Sequence, residues 1–282
     1  MFGVLAALAA ALPTLVSAPP TPVLPPRDLP PDSVAISDFT VAVSPSGEVE
    51  QCRLRASSGY PALDAKGCPT LRSAHFTPAT DSTGAAVHGL VDAQVKWPQG
   101  EVVVGASGPD VELILSPMPT GVAGRPVAGL ALTVDTKGGV EACDVLKSVG
   151  SADFNSLACT TGVKDAGIKP VKAADGTPGR SIQALNVRFA AYAHFAPIPE
   201  DRIHDAYPKR ALKQDVDGFA VIRCDAQADS RLDGCAVDEE GPPGFDFGGA
   251  TLRLAKDGQF KLTPAQLGEV FIVMKFESSR AR

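Results

Sequence analysis

Hydrophobic and polar residues alternate along the chain in short stretches, and the same arrangement of stretches recurs three times. In the first, residues 39–43 alternate Phe and Val with smaller or polar residues, and residues 52–56 do the same with Cys, Leu and Ala. Pro45-Ser46-Gly47 lies between them and is typical of a turn. Because side chains alternate between the two faces of a strand, this pattern predicts a β-hairpin with one buried face.

Each predicted hairpin is followed by a short helical segment and a closing strand. The helices are predicted at 62–74, 153–164 and 247–255, and the first closing strand alternates Val91, Ala93, Val95 and Trp97 with polar residues. The second and third hairpins cover 130–145 and 220–237. The pattern therefore predicts an α+β fold of three small modules, each an antiparallel β-hairpin, a short α-helix and a closing β-strand.

The modules also resemble one another in sequence, which indicates an internal repeat. Residues 47–52 align with 138–143 when the chain is shifted by 91 residues, and Cys68 falls on Cys159. After one inserted residue Pro78 meets Pro170, and 95–97 meets 187–189. A third, more divergent copy ends in Met274-Lys275-Phe276.

This repeat divides the chain into seven segments. We expect a signal peptide at 1–18, a Pro-rich spacer at 19–33, a first module at 34–98, a connection at 99–126, a second module at 127–190, a linker at 191–206 and a third module at 207–282. Within the connection, the Val and Leu residues of 102–104 and 111–115 predict extra strands outside the repeat.

The N-terminal segment has the features of an export signal. Residues 2–12 are apolar, Pro13 ends the run, and Val16-Ser17-Ala18 offers small residues for cleavage, although no Lys or Arg precedes Arg27. The run is shorter than the ~20 residues that a membrane-spanning helix needs. We therefore expect a cleaved signal and a periplasmic protein, with an uncleaved inner-membrane anchor that faces the periplasm as the alternative.

Six cysteines fall into three local pairs, which predicts a disulfide framework in an exported chain. The repeat supports the pairs Cys52 with Cys68, Cys143 with Cys159, and Cys224 with Cys235. We expect the first two to join the second strand to the helix, and the third to cross its own hairpin. Zinc binding is the alternative, but no pair has the spacing of a zinc knuckle. A redox role would favour Cys-x-x-Cys, which does not occur.

Several residues together resemble the C-terminal domain of TonB-family energy transducers. They are Ser57-Ser58-Gly59 followed by Leu63-Asp64, then Pro78 in Phe-Thr-Pro-Ala, then Gly84. Tyr207-Pro208, Ala211 and Gly218 resemble the entry to the same domain at the start of the third module. The resemblance is strong over 34–98, moderate over 127–190 and weak over 207–277.

This resemblance implies a protein-binding fold that takes up a strand of an outer-membrane receptor at a sheet edge, in TonB-dependent transport. The candidate edges are the closing strands, at 91–97, 183–189 and 270–276. A TonB transducer also has a retained membrane helix with a histidine, whereas the first histidine here is His75. Its spacer is long, whereas 19–32 spans at most about 45 Å. A membrane-anchored transducer is therefore the alternative.

Other function classes find little support. The net charge of −6 argues against nucleic acid as a partner, and a membrane is expected as one only if the N-terminal segment is uncleaved. The four histidines are dispersed, and neither a nucleophile elbow, a HExxH motif nor a P-loop occurs. We thus expect no catalytic residue, no cofactor and no metal site. A secreted hydrolase or inhibitor that uses the modules as a scaffold is the alternative from another class.

Overall fold

The computed structural model describes residues 10–27, 29, 33–105, 108–115, 124–229, 231–263 and 268–278. The chain divides into two compact units, Met1–Ala190 and Ala191–Arg282. Among the described residues no helix has the length and apolar character that a membrane crossing requires. Both units combine antiparallel strands with short helices, which confirms the predicted α+β class.

The described residues of the first unit form thirteen strands, three α-helices and one π-helix. The strands are β1 Leu15–Ser17, β2 Ala35–Val43, β3 Val49–Ala56, β4 His75–Phe76, β5 Ala79–Thr80, β6 Ala86–Trp97, β7 Glu101–Val104, β8 Val111–Ile114, β9 Val127–Val134, β10 Val140–Lys147, β11 Val171–Lys172, β12 Pro178–Gly179 and β13 Ser181–Ala190. The helices are α1 Pro61–Arg72, α2 Ala152–Leu157 and α3 Val163–Ala166, and a π-helix, Ala158–Gly162, joins the last two.

One sheet runs through the whole first unit. Its main path has the order β10-β9-β13-β6-β2-β3, so the two hairpins lie at opposite ends and the two closing strands meet in the middle. These two strands, β6 and β13, pair in parallel with Ile182 opposite Gly89. Two regions of the same element order thus share a single sheet.

The helices of the first unit cover opposite faces of this sheet. In β6 the odd-numbered residues Val91 to Trp97 pack with α1 around Leu63 and Leu71. In β13 the odd-numbered residues Leu185 to Phe189 pack instead with the second helical segment around Phe154 and Ala158. Ile182 pairs with Gly89, so the even-numbered residues of β13 share a face with the odd-numbered residues of β6. The odd-numbered residues of the two strands therefore point to opposite sides of the sheet.

The second unit is a smaller version of the same plan. Its elements are α4 Glu200–Ala206, α5 Lys209–Gln214, β14 Gly218–Ala226, β15 Leu232–Gly241, α6 Phe247–Lys256 and β16 Gly268–Phe276. The three strands form an antiparallel sheet in the order β15-β14-β16. Its core is aromatic: the ring of Tyr207 lies 6.0 Å from that of Phe247 and 5.6 Å from that of Phe276, edge to face in both cases.

Three disulfide bonds join the pairs of cysteines predicted from the sequence. Cys52–Cys68 and Cys143–Cys159 each link the second strand of a hairpin to the helical segment that follows, across 16 residues of chain. Cys224–Cys235 links β14 to β15, across 11 residues. The two kinds of bridge therefore constrain different pairs of elements. A disulfide bond that closes a loop of about this length contributes ~3 kcal/mol to the stability of a small module.

Residues 10–27 lie against the first unit and so differ from the free spacer that the prolines predict. β1 pairs with β4, and the amide of Val23 donates to the carbonyl of Pro98 over 2.9 Å. Ala10 is buried, and Leu12 and Leu15 are partly buried against the core. The physical reason is that these apolar side chains are removed from water by packing on the sheet.

Candidate functional site

Two of the three closing strands have no free edge, contrary to expectation. β6 lies between β2 on one side and β13 and β7 on the other, with Ala93 to Lys96 paired to β7. β13 lies between β9 and, on its other side, β6 and β8. The predicted edges at 91–97 and 183–189 are therefore wrong, because the two strands cover each other and the extra strands β7 and β8 cover the rest.

The third closing strand, β16, is an edge strand. It pairs with β14 along its full length, from Gly268 opposite Ala226 to Phe276 opposite Gly218. The carbonyl of Phe271 accepts the amide of Ala193 on the other side. Because main-chain groups alternate in direction along an antiparallel strand, those of Val273 and Lys275 also point away from β14. Within the described part of the chain, the outward main-chain donors and acceptors of these two residues are unpaired.

An apolar groove runs beside this edge. It is a cavity of about 640 Å³ between the strand and the segment that contains α4, and its walls are Phe195, Pro197, Ile198, Pro199, Ile203 and Met274. Ile198 is 8 % exposed, and Phe195 stacks edge to face on Phe260, with ring centres 4.8 Å apart. The groove is thus built on fixed side chains and can take an apolar side chain of a partner.

Charged residues surround the groove. Glu200, Lys275 and Glu277 line its rim, with both signs represented. Rim charges of this kind set the orientation of a bound chain and the rate at which it associates, more than they set affinity. The arrangement of a free strand edge, an apolar groove and a polar rim is suited to binding a polypeptide.

The residues of the Ser-Ser-Gly motif hold the first module together. The carboxylate of Asp64 accepts hydrogen bonds from the hydroxyls of Ser37 at 2.6 Å and Ser58 at 2.8 Å, from the hydroxyl of Ser57, and from the amide of Ser58 at 3.0 Å. The indole of Trp97 donates to Ser37 over 3.0 Å. One carboxylate therefore joins β2, the start of α1 and, through Ser37, the closing strand.

The other motif residues of this module also have structural surroundings. Gly59 has φ of +82°, a conformation that favours glycine and reverses the chain before α1. Leu63 is buried in the core beneath the helix, and Pro78 is half-buried between β4 and β5. None of them lines the groove, whose residues belong to the other unit.

The entry motif of the third module packs in the core of the second unit. The hydroxyl of Tyr207 donates to the carbonyl of Val216 over 2.9 Å, and burial raises the pKa of this phenol to about 12, with a further contribution from Asp217. Pro208 precedes α5, and Ala211 within that helix is fully buried. A Cβ atom at Gly218 would lie 2.1 Å from the ring of Phe247, so only glycine fits.

The groove residues were not predicted from the sequence. Residues 195–203 belong to the segment 191–206, which is expected to be a linker and contains two prolines, Pro197 and Pro199. A signal was present in Phe195, Ile198 and Ile203, since large apolar residues are unusual in a solvated linker. Of the residues around the groove, Met274 and Lys275 belong to a strand that the repeat predicts.

One family model matches the chain. Residues 36–98 match the model described as Gram-negative bacterial TonB protein C-terminal. No curated protein and no solved structure matches. The matched segment covers β2, β3, α1 and β6, the hairpin, helix and closing strand of the first module. Domains of this family bind other proteins, are not catalytic and act on the periplasmic side of Gram-negative bacteria. Residues 36–98 of this chain therefore form a domain of the TonB C-terminal family.

Proposed function

We propose that this protein is a periplasmic, non-catalytic binding protein that adds a strand of a partner protein to β16. The observation that carries the proposal is the free edge at Val273 and Lys275, which lies next to the apolar groove. Main-chain hydrogen bonds would supply affinity, and the groove would select an apolar side chain of the partner. The family of residues 36–98 supports a protein as the partner.

The finer assignment is an outer-membrane receptor in TonB-dependent transport. It rests on the same family match and on the expected export of the chain. Cleavage after Ala18 would release the protein into the periplasm, whereas retention of the N-terminal segment would favour a membrane-anchored transducer. Sequencing the N-terminus of the mature protein from cells decides between the two, with a start at Pro19 expected.

We also propose that 34–98, 127–190 and 207–282 are degenerate copies of one module. Their support is a shared order of hairpin, helix and closing strand and an aromatic residue near the end of each closing strand, Trp97, Phe189 and Phe276. All three aromatic side chains are at most 1 % exposed. On this proposal the first two copies keep a structural role, and the third carries the binding edge.

In vivo photo-crosslinking tests the binding edge. A photoreactive amino acid in place of Lys275, which is exposed at the rim, is expected to capture an outer-membrane protein that mass spectrometry identifies. Val273→Pro should abolish capture, because it removes an outward amide while leaving the bonds to β14 in place.

Val273→Ala is the matched control, since it shortens the same side chain and keeps the amide. It should retain capture. Equal capture by the proline and alanine variants would show that the edge is not used. Capture of inner-membrane proteins alone would remove the outer-membrane assignment while leaving strand addition in place.

A further inference from the structure

A second cavity lies in the first unit, on the face of the shared sheet that α1 leaves uncovered. Its volume is about 700 Å³. Thr40, Ala42, Leu90 and Leu185 belong to the strands that form its floor, and residues 166–172 form a wall along one side. We call it the 166–172 groove. It is separate from the site at β16, which lies in the other unit.

The opposite face of the same sheet shows what such a groove can hold. There, residues 75–80, between α1 and β6, bind the N-terminal segment as an added chain. Ala11 and Thr80 exchange two main-chain hydrogen bonds, of 2.8 and 3.0 Å, and the amide of Thr77 donates to Thr14 over 2.8 Å. Pro13 fills the space above Gly89, where a Cβ atom would lie 2.1 Å from the proline ring.

The wall of the 166–172 groove occupies the corresponding place in the second half of the unit. It lies between α3 and β13, as 75–80 lies between α1 and β6. The shift of 92 residues that aligns Pro78 with Pro170 aligns Thr80 with Lys172 and Thr77 with Lys169. The described residues include no added chain on this side. The two halves of the sheet therefore carry one filled and one unfilled groove.

Side-chain amides satisfy the main chain of the unfilled groove. Gln51 donates from Nε2 to the carbonyl of Lys172 over 2.7 Å, and Gln183 donates from Nε2 to the carbonyl of Lys169 over 2.8 Å. The carbonyl of Thr80, the counterpart of Lys172, accepts instead from the main-chain amide of Ala11. Gln51 is exposed and long, so an entering main-chain amide can replace it at little cost.

The charges around this groove favour an acidic occupant. Arg53, Lys169 and Lys172 line it, all three are exposed, and none has an ion-pair or hydrogen-bond partner for its side chain within the described ranges. The carboxylates that line it, Asp92 and Asp110, are both engaged by Arg55, at 3.7 and 3.2 Å. With Arg55 included, four cations and two carboxylates line the groove, so its net charge is positive.

We infer that the 166–172 groove binds an extended, acidic segment of another polypeptide, which pairs with residues 168–172 as residues 11–17 pair with 75–80. The sheet supplies a floor of threonine, alanine and leucine side chains, the wall supplies main-chain partners, and the three cations supply the preference for carboxylates. This site is independent of the proposed strand addition at β16, and either can exist without the other.

The test uses a peptide that copies the bound N-terminal segment. It has the sequence of residues 11–17 with Leu12→Glu, Thr14→Glu and Val16→Glu, and it carries fluorescein. It is titrated with oxidised protein that retains residues 1–18, in which the 75–80 side is filled, while its anisotropy is followed. A second peptide with lysine at the same three positions is the control. We expect binding of the acidic peptide alone, with amide shifts in NMR spectra concentrated at 168–172.

Variants of the protein sharpen the test. Arg53→Glu and Lys169→Glu should each weaken binding by about five- to tenfold, whereas Lys164→Glu, the same change on an exposed position of α3 outside the groove, should leave it unchanged. Gln51→Ala should strengthen binding, because it frees the carbonyl of Lys172.

The inference is overturned by absence of binding up to about 1 mM of the wild-type protein, by equal binding of the lysine peptide, or by equal weakening in Lys164→Glu. Shifts at 75–80 in place of 168–172 would also overturn it, since the peptide would then be displacing the protein's own N-terminal segment.

Discussion

The closing strands of the two units follow the same plan and end in different surroundings. β6 and β13 meet in the middle of the first unit's sheet, and β7 and β8 cover the parts that they leave open. β16 has the same place after its helix and the same buried aromatic residue near its end, yet it lies at a sheet edge. An element's place in the module therefore does not decide whether its edge is available.

What decides availability is the presence of neighbours outside the module. The connection between the first two modules supplies two short strands, and no comparable pair precedes β16 in the described part of 191–217. Covering an edge removes a route to unwanted association, so the closing strands of the first unit are protected, although its sheet still ends in β3 and β10, whereas the closing strand of the second unit is open. The following predictions test this contrast.

The largest effects are expected from the aromatic residues of the closing strands. Trp97→Ala and Phe276→Ala should each lower the free energy of unfolding of their own unit by about 3–5 kcal/mol, because each removes a buried ring from a core. Scanning calorimetry measures this as a lower midpoint temperature for one of the two unfolding transitions. Val237→Ala, at a position 42 % exposed, is the control. A fall in both transitions from either variant would mean that the two units unfold together.

The disulfide bonds should come next. Replacing both Cys52 and Cys68 by alanine should destabilise the first unit by ~3 kcal/mol, and replacing Cys143 and Cys159 should have the same effect, because the loops are equal in length. Denaturant titration under matched conditions gives both values. A clear inequality would assign part of the stabilisation to local packing, since the chain-entropy contribution is the same.

Hydrogen exchange should separate the two kinds of closing strand directly. The outward amides of Val273 and Lys275 have no strand partner, whereas Gln94 and Val95 lie between two paired neighbours. We expect the outward amides of Val273 and Lys275 to exchange about a hundredfold faster than those of Gln94 and Val95, since exposed edges open at low cost. The inward amide of Met274 is the internal control and should resemble β6. Equal rates at Val273 and Met274 would contradict an open edge.

The smallest effect concerns pH and only the first unit. Burial, together with the neighbouring Asp92, raises the pKa of Asp110 to about 6, although Arg55 and the amide of Asn186 oppose the change. A carboxyl whose pKa is raised by folding favours the folded state when protonated. Its contribution is therefore complete below pH 4 and is lost as the pH rises through about 6.

Asp110→Asn should remove this dependence. Between pH 4 and 7 the variant is expected to lose less stability than the wild type, by on the order of 1 kcal/mol, while it keeps an oxygen to accept the amide of Asn186. Chemical denaturation of both proteins across this range measures the difference. Parallel curves would show that Asp110 titrates normally, and the second unit serves as the internal reference.

Much of the fold could be predicted from the sequence because it is local. The hairpins follow from alternation, the helices from position between hairpin and closing strand, and the three bridges from cysteine pairs in a repeat. On the proposed repeat, the second copy has one inserted residue after Cys159. It falls near the π-helix Ala158–Gly162, and such a turn takes up about one extra residue.

The rest depends on contacts between distant segments. The parallel pairing of Ile182 with Gly89 joins strands that no local pattern relates, and it is this pairing that turns two predicted edges into the centre of a sheet. The apolar composition of residues 10–18 fits an export signal and equally fits a segment that packs on the sheet. Composition alone therefore does not distinguish these two roles. The groove at β16 was missed because its walls come from a segment rich in proline, which on its own indicates an extended linker.

The geometry of β16 has a mechanical consequence. A partner strand added to its edge would lie along the strand axis, so a pull on that partner would load the hydrogen bonds between β14 and β16 in shear. All nine paired positions would then share the force, instead of breaking one after another as they do when a hairpin is peeled open. Cys224–Cys235 fastens β14 to β15 covalently, so the force would pass into the rest of the sheet through a bond that tension of this kind does not break.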